Sequence, residues 1–218
     1  MRTYTLGEVE LVAKKQSSYP RKVVYYATGE NIVNAKRTHT FRPLYAWEVQ
    51  EARRVFSNGL NYGAIRIHEN ASWPNTINKI GTWLKRMPQV DAPNAITLFN
   101  HCYFPVQLLE VPVPLNHPDD WETGWLIHEL THAWQYQHLG RRYLFKAVVA
   151  QLRLGAKVYE FGGEAGLVKS HSLGQKLADF NMEQQGDIAR TYYEALIRGK
   201  DVSAWLPFIA EFQQKDNG

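Results

Sequence analysis

Two histidines four residues apart bracket a glutamate in the stretch His128-Glu129-Leu130-Thr131-His132. On an α-helix each residue turns the chain by about 100°, so His128 and His132 share one face and stand about one turn apart. Their imidazoles can grip one metal ion. Glu129 lies about 100° further round the same helix, badly placed as a third ligand but within reach of a water held by that ion. This HExxH arrangement suits zinc, with two neutral nitrogen ligands and a carboxylate that acts as general base.

The chemistry requires that the stretch be helical, and its surroundings say that it is. Leu126, Ile127, Leu130, Ala133 and Trp134 form a broad apolar stripe, and neither Pro nor Gly interrupts residues 125–139. Such a pattern predicts a helix buried on one side. Asp119 and Asp120 suit its N-terminal cap, and Gly140 its end.

A catalytic zinc takes three protein ligands and keeps one position for water. His138 sits six residues past His132, but the pattern that uses such a histidine needs a glycine at 135, where this chain has Gln135. Glu183, roughly fifty residues downstream, is the stronger candidate, because a helix, a loop and a second helix fit in between. Asp187 follows it at i+4 on the same face, so the aspartate can accept a hydrogen bond from the outer nitrogen of a ligand histidine. Glu160, Glu164 and Asp179 stay open as ligands. For the developing oxyanion, Tyr192 and Tyr193 are the preferred donors, with His171 and Tyr136 as alternatives. His68 and His117 read as structural.

Elsewhere the pattern is of short elements. Leu6 to Val12 and Val23 to Ala27 read as strands, Trp47 to Phe56 as a helix, Tyr62 to His68 and Ala95 to Phe99 as strands, with Tyr103-Phe104 continuing or partnering the last. Residues 70–93 read as loop. The strand before the metal helix is the expected sheet edge for an extended peptide, with Thr97, Phe99 and Asn100 on its rim. Tyr143 to Leu154 reads as an apolar helix packed behind the metal helix. Four glycines make 155–172 a loop, Asp179 to Arg198 is helical, and Val202 to Phe212 is a short helix bent at Pro207. The reading is α+β: a mainly helical domain at 45–218 with a small sheet ahead of the HExxH helix, and residues 1–44 as a lead segment packed on it.

Composition sets the outer bounds. The chain has 218 residues, 44% hydrophobic and 21% charged, an ordinary globular balance. Its one cysteine, Cys102, excludes an internal disulfide and a cysteine-based zinc cluster, so a metal must rest on His and carboxylate. Glu8 and Glu10 stand where a signal peptide needs its apolar core, which predicts cytoplasmic synthesis without a leader. The net charge of +4 is uneven: 141–157 holds five Lys and Arg and no acid. No nucleic-acid motif accompanies this patch, so a solvated basic face is the expectation and no nucleic-acid partner is expected.

The Glu183 and Asp187 spacing resembles the NExxxD element of the gluzincin superfamily of zinc metallopeptidases. More narrowly, EARRVF and NYGAIRIHE within 51–69, AITLFNHCYFP at 95–105, LIHELTHAWQYQ at 126–137 and FNMEQQGDIARTYY at 180–193 resemble small bacterial HExxH peptidase domains found with type VI secretion spike and Rhs-like proteins. The resemblance covers about 45–195. It implies a toxin-like effector peptidase exported by a contractile injection machine to act in the periplasm or a host cell, with a secretion-machine carrier or an immunity protein as partner. No spike domain accompanies it in this sequence.

The expected chemistry is peptide-bond hydrolysis with Zn²⁺ on His128, His132 and Glu183, Glu129 as base and Asp187 behind a ligand histidine. Two rivals differ in kind. One keeps the metal but holds a partner peptide without cutting it, and the other is a metal-free basic protein of nucleic-acid or membrane surfaces.

Overall fold

A computed structural model of the protein describes residues 41–71, 95–140 and 160–214. In chain order these form β1 (Phe41–Arg42), α1 (Ala46–Phe56), β2 (Arg66–His68), β3 (Ile96–Leu98), β4 (His101–Tyr103), α2 (Trp121–Leu139), α3 (Gly163–Ser172), α4 (Met182–Ile197) and α5 (Leu206–Phe212). Single 3-10 turns stand at Tyr62–Ala64 and Leu177–Asp179. Helices packed on one small sheet make the architecture α+β, as the sequence predicted. The expected strands in the first forty residues, nearly all of the 70–93 loop and the Tyr143 to Leu154 helix lie outside the described residues, as does the basic run that begins at 141.

α2 is the centre of the fold and contacts α4, β3, β4 and α1. Being enclosed from several directions, it is buried on more than the one side its apolar stripe predicted. Leu126, Ile127, Leu130 and Ala133 are inaccessible or nearly so, and Glu122, Thr131 and Gln135 are buried with them. Asp120 occupies the N-cap position, yet its side chain does not cap the helix. Its Oδ2 accepts instead from the Asn116 amide at 2.9 Å and from Arg198 at 2.9 Å, tying the helix start to the end of α4. Gly140 ends α2 at a φ of 62°, a conformation open to glycine at little cost.

The sheet has the order β1-β2-β4-β3, antiparallel at both outer pairs and parallel between β2 and β4. Ile67, Cys102 and Thr97 fall in one cross-strand row and are buried, so this row is the face turned towards α2. β3 is one of the two edge strands among the described residues, β1 being the other. Phe99 and Asn100 form a two-residue turn between β3 and β4, with Phe99 at a φ of 59°. Beneath the helices, Phe56 of α1 meets Phe212 of α5 edge to face at 5.6 Å, and the Trp134 indole of α2 donates to the Phe212 carbonyl at 3.1 Å. Phe56, Phe208 and Phe212 are fully or almost fully buried, each contributing about 1.5–3 kcal/mol of transfer free energy.

Two expectations fail for local reasons. The glycine-rich stretch contains α3, because Gly162 and Gly163 take positive φ at its start, and Gly166 stands where a Cβ would collide with the Phe161 carbonyl. The glycines shape the entry to a helix, and Leu167 anchors it in the core. Pro207 does not bend its helix. It lies in the first turn of α5, where the missing N–H costs nothing.

Candidate metal centre

The first turn of α4 is fixed by a capping box. Asn181 Oδ1 accepts from the Gln184 amide at 3.0 Å, and Gln184 Oε1 accepts from the Asn181 amide at 3.0 Å. Glu183 follows in that turn and Asp187 one turn on, both facing α2. Between them Gly186 lets the helices close: a Cβ there would stand 2.7–2.9 Å from the imidazole atoms of His128.

His128, His132 and Glu183 are all buried, and one ligand atom from each lies within 4.8 Å of the other two. Glu183 Oε2 stands 3.3 Å from His128 Nε2 and 3.6 Å from His132 Nε2. Ligands about 2.1 Å from a tetrahedral zinc stand about 3.4 Å from one another, so the spacing suits that ion. The rings are turned for it. His128 Nδ1 lies 3.1 Å from Asp187 Oδ1, itself 2.9 Å from the Arg190 guanidinium, and His132 Nδ1 lies 2.9 Å from Gln135 Oε1. With each outer nitrogen on an acceptor, the inner nitrogens converge on the Glu183 carboxylate. These three residues can hold a metal ion.

The charges agree with the geometry. Burial opposes protonation of His128, but hydrogen bonds to Asp187 and Glu183 outweigh it and raise its pKa to about 10. His132 is raised likewise, burial being outweighed by the Glu183 carboxylate. Burial alone would raise Glu183, yet the two imidazoles hold it far below the usual carboxylate range. The carboxylate and each ring stabilise one another's charged forms.

Glu129, on the next flank of α2, is buried, and its Oε2 accepts from the Thr97 hydroxyl at 2.7 Å. The other two rim residues also strap the hairpin to α2. Asn100 Oδ1 accepts from Gln137 at 2.8 Å, and the Phe99 ring meets Tyr136 at 5.0 Å. Of the two favoured tyrosines, one is engaged on α1. Tyr193 donates to Glu51 of α1 at 3.0 Å, and burial with that carboxylate pushes its phenol well up. Tyr192 falls nine residues after Glu183, about half a turn round α4 from it. His171 packs edge-on to Phe208, and only Tyr136 lies on α2 itself.

His138 is taken up at the helix end, donating through Nδ1 to the Trp134 carbonyl at 2.9 Å and stacking on that indole. Asp179 caps the Lys176 amide at 2.7 Å, and Glu160 and Glu164 are exposed. His68 pairs with His101 at 2.8 Å on the sheet, and His117 with the Asp119 amide at 3.2 Å. Three contacts escaped the sequence reading: Thr97 on Glu129, Gln135 on His132, and Gly186 under His128. The second had a local signal, since Gln135 stands at i+3 from His132 and side chains so spaced can meet. The others join residues distant in sequence, and no local pattern marks them.

No family model matches the sequence. Among solved structures, the effector domain of Pseudomonas aeruginosa VgrG2b is similar at a TM-score of 0.45 and 25% identity, covering 75% of this chain and 79% of that one. In sequence, the chain is 31% identical over 160 residues to the type VI secretion system spike protein VgrG2b of Pseudomonas aeruginosa. The match takes in 70% of this chain and spans only 13% of that protein's length, so it links the chain by sequence to one part of a type VI secretion spike protein.

Proposed function

We propose that this chain is a zinc-dependent endopeptidase domain acting as an effector of a type VI secretion system, with residues 45–218 as its catalytic unit. The observation that carries the enzymatic half is the meeting of His128, His132 and Glu183 beside a buried Glu129. The likeness to the spike protein supports the effector half. Among the described residues no helix is long and apolar enough to cross a membrane. Export by a contractile injection machine, a carrier or immunity protein as partner, and action in the periplasm or a host cell belong to the same reading.

His128 and His132 would hold the zinc through Nε2, and Glu183 through its carboxylate. When bound, zinc polarises a carbonyl and acidifies water. The chain's own groups do the rest. Thr97 occupies Oε2 of Glu129 and leaves Oε1 to take the proton of the attacking water and pass it to the departing amine. Asp187 keeps a proton of His128 on Nδ1, which makes Nε2, the nitrogen facing Glu183, the one to ligate. The edge strand β3 offers unpaired backbone groups, among the described residues, for an extended peptide to align on.

Replacing Glu129 by Gln tests this reading, because it removes the base and leaves the donor set whole. The expected result is zinc bound as before and cleavage of bacterial envelope proteins or peptides reduced by about 10²–10⁴. Cleavage at the parent rate would refute the assignment of the base. A parent chain that holds stoichiometric zinc but cuts nothing would favour a module that binds its partner without hydrolysis.

A further inference from the structure

We propose that Gln135 is a positioning residue for the metal site: it fixes the tautomer and plane of His132 at the end of a chain of amides whose direction is set by three backbone carbonyls.

Carbonyl oxygens can only accept, and that decides the orientation of each amide in turn. Gln185 Nε2 lies 3.0 Å from the Leu177 carbonyl and 3.0 Å from the Phe180 carbonyl, so this end of the side chain must be the donor. Its Oε1 therefore faces away, towards Gln135 Nε2 at 2.8 Å. Gln135 Nε2 also donates to the Met182 carbonyl at 3.0 Å, so a flip of this amide would set oxygen against oxygen. Its own Oε1 is left facing His132 Nδ1 at 2.9 Å. That oxygen cannot donate, so the ring nitrogen must carry the hydrogen. His132 Nε2, the nitrogen that faces Glu183, is thereby made the one that a metal can take.

The chain is dry and double-ended. Gln135 has no exposed surface and Gln185 keeps 6%, so water does not offer the amides other partners. Met182, which receives Gln135, directly precedes Glu183. The turn that seats the carboxylate ligand thus also seats the amide behind the second histidine. The two imidazoles are held by different chemistry, His128 by the charged Asp187 and His132 by a neutral amide that adds no negative charge to a site already holding three carboxylates.

The inference rests on the metal reading of the triad, not on hydrolysis. It is tested on the zinc-loaded full chain labelled with ¹⁵N-histidine. The expected spectrum has His132 coordinated through Nε2, with a slowly exchanging proton on Nδ1. Coordination through Nδ1, or an Nδ1 proton in free exchange with water, overturns the proposal, and this measurement needs no variant to fold. Gln135→Met should weaken zinc binding by about 10- to 100-fold in competition with a chelator and speed exchange of the Nδ1 proton. Gln135→Glu keeps an acceptor and should recover part of that affinity. Parent affinity in Gln135→Met also overturns it. If Glu129→Gln still cut peptides, these results would stand, so the two readings fail separately.

Discussion

α2 presents two sides that are built differently. Towards α4, the polar groups of the ligand set are held from behind: His128 by Asp187, His132 by Gln135, Asp187 by Arg190, and Gln135 by Met182 and Gln185. Towards the sheet, Glu129 is held by the Thr97 hydroxyl from a three-residue edge strand. In the proposed enzyme the difference follows from what each side must do. Metal ligands serve best when their geometry cannot vary, so a buried and cross-braced helix pair suits them. A base must give and take a proton, so one of its oxygens must be left available.

The sharpest way to break the contrast is to disturb the rigid side at its closest approach. In Gly186→Ala the new methyl meets the His128 ring, which Asp187 prevents from swinging away. Overpacking of this kind costs about 1–3 kcal/mol. A lower Tm should be accompanied by zinc binding at least about tenfold weaker in a chelator titration, a shift of ligand orientation of the kind that supporting residues control. Unchanged affinity would mean that α2 and α4 adjust more freely than their packing implies. The other side should respond differently. Thr97→Val removes the hydroxyl on Glu129 and should lower kcat by about tenfold, the loss of one charge-assisted hydrogen bond, with zinc affinity unaltered. A loss of zinc instead would show that the sheet braces the ligands too.

The smallest effect sharpens the comparison through pH. In zinc-stripped protein the His128 pKa is raised from 6.5 to about 10, so protonation of the folded state stabilises it. This stabilisation is fully present below about pH 6.5 and fades as the pH rises through about 10. Zinc and the proton compete for the same nitrogen, so zinc binding should release protons at neutral pH and tighten as the pH rises. Calorimetry in buffers of different ionisation enthalpy measures that release, and zinc uptake without it would contradict a His128 that is protonated in the zinc-free protein.

The parts of the fold visible in the sequence are those governed by spacing along one helix. His128, Glu129 and His132 could be placed on one turn, and Glu183 with Asp187 on another, because helical geometry fixes such neighbours regardless of context. That the two turns meet is seen in the packing of α4 on α2. What stayed hidden was the contact between distant segments: that Thr97 reaches Glu129, and that Gly186 is small because His128 lies under it. Local cues also misled where position mattered more than composition. Glycines at 162, 163 and 166 mark the entry of a helix and not a loop, Pro207 opens α5 and does not kink it, and Asp120 spends its carboxylate on Asn116 and Arg198. Gln135 was visible only as the missing glycine of another pattern, although its distance from His132 already allowed a bond.

The separation of Glu183 from the histidine pair has a consequence for the life of the molecule. A chain still emerging from the ribosome, or drawn out in extended form, has two imidazoles four residues apart in sequence and lacks the carboxylate, which arrives only when α4 docks on α2. Because metal affinity grows with each ligand that folding delivers, tight capture of the ion waits for the last long helix. For the proposed peptidase, the cell that makes it therefore meets a dormant polypeptide until folding is nearly finished, and its exposure to the finished blade begins only then.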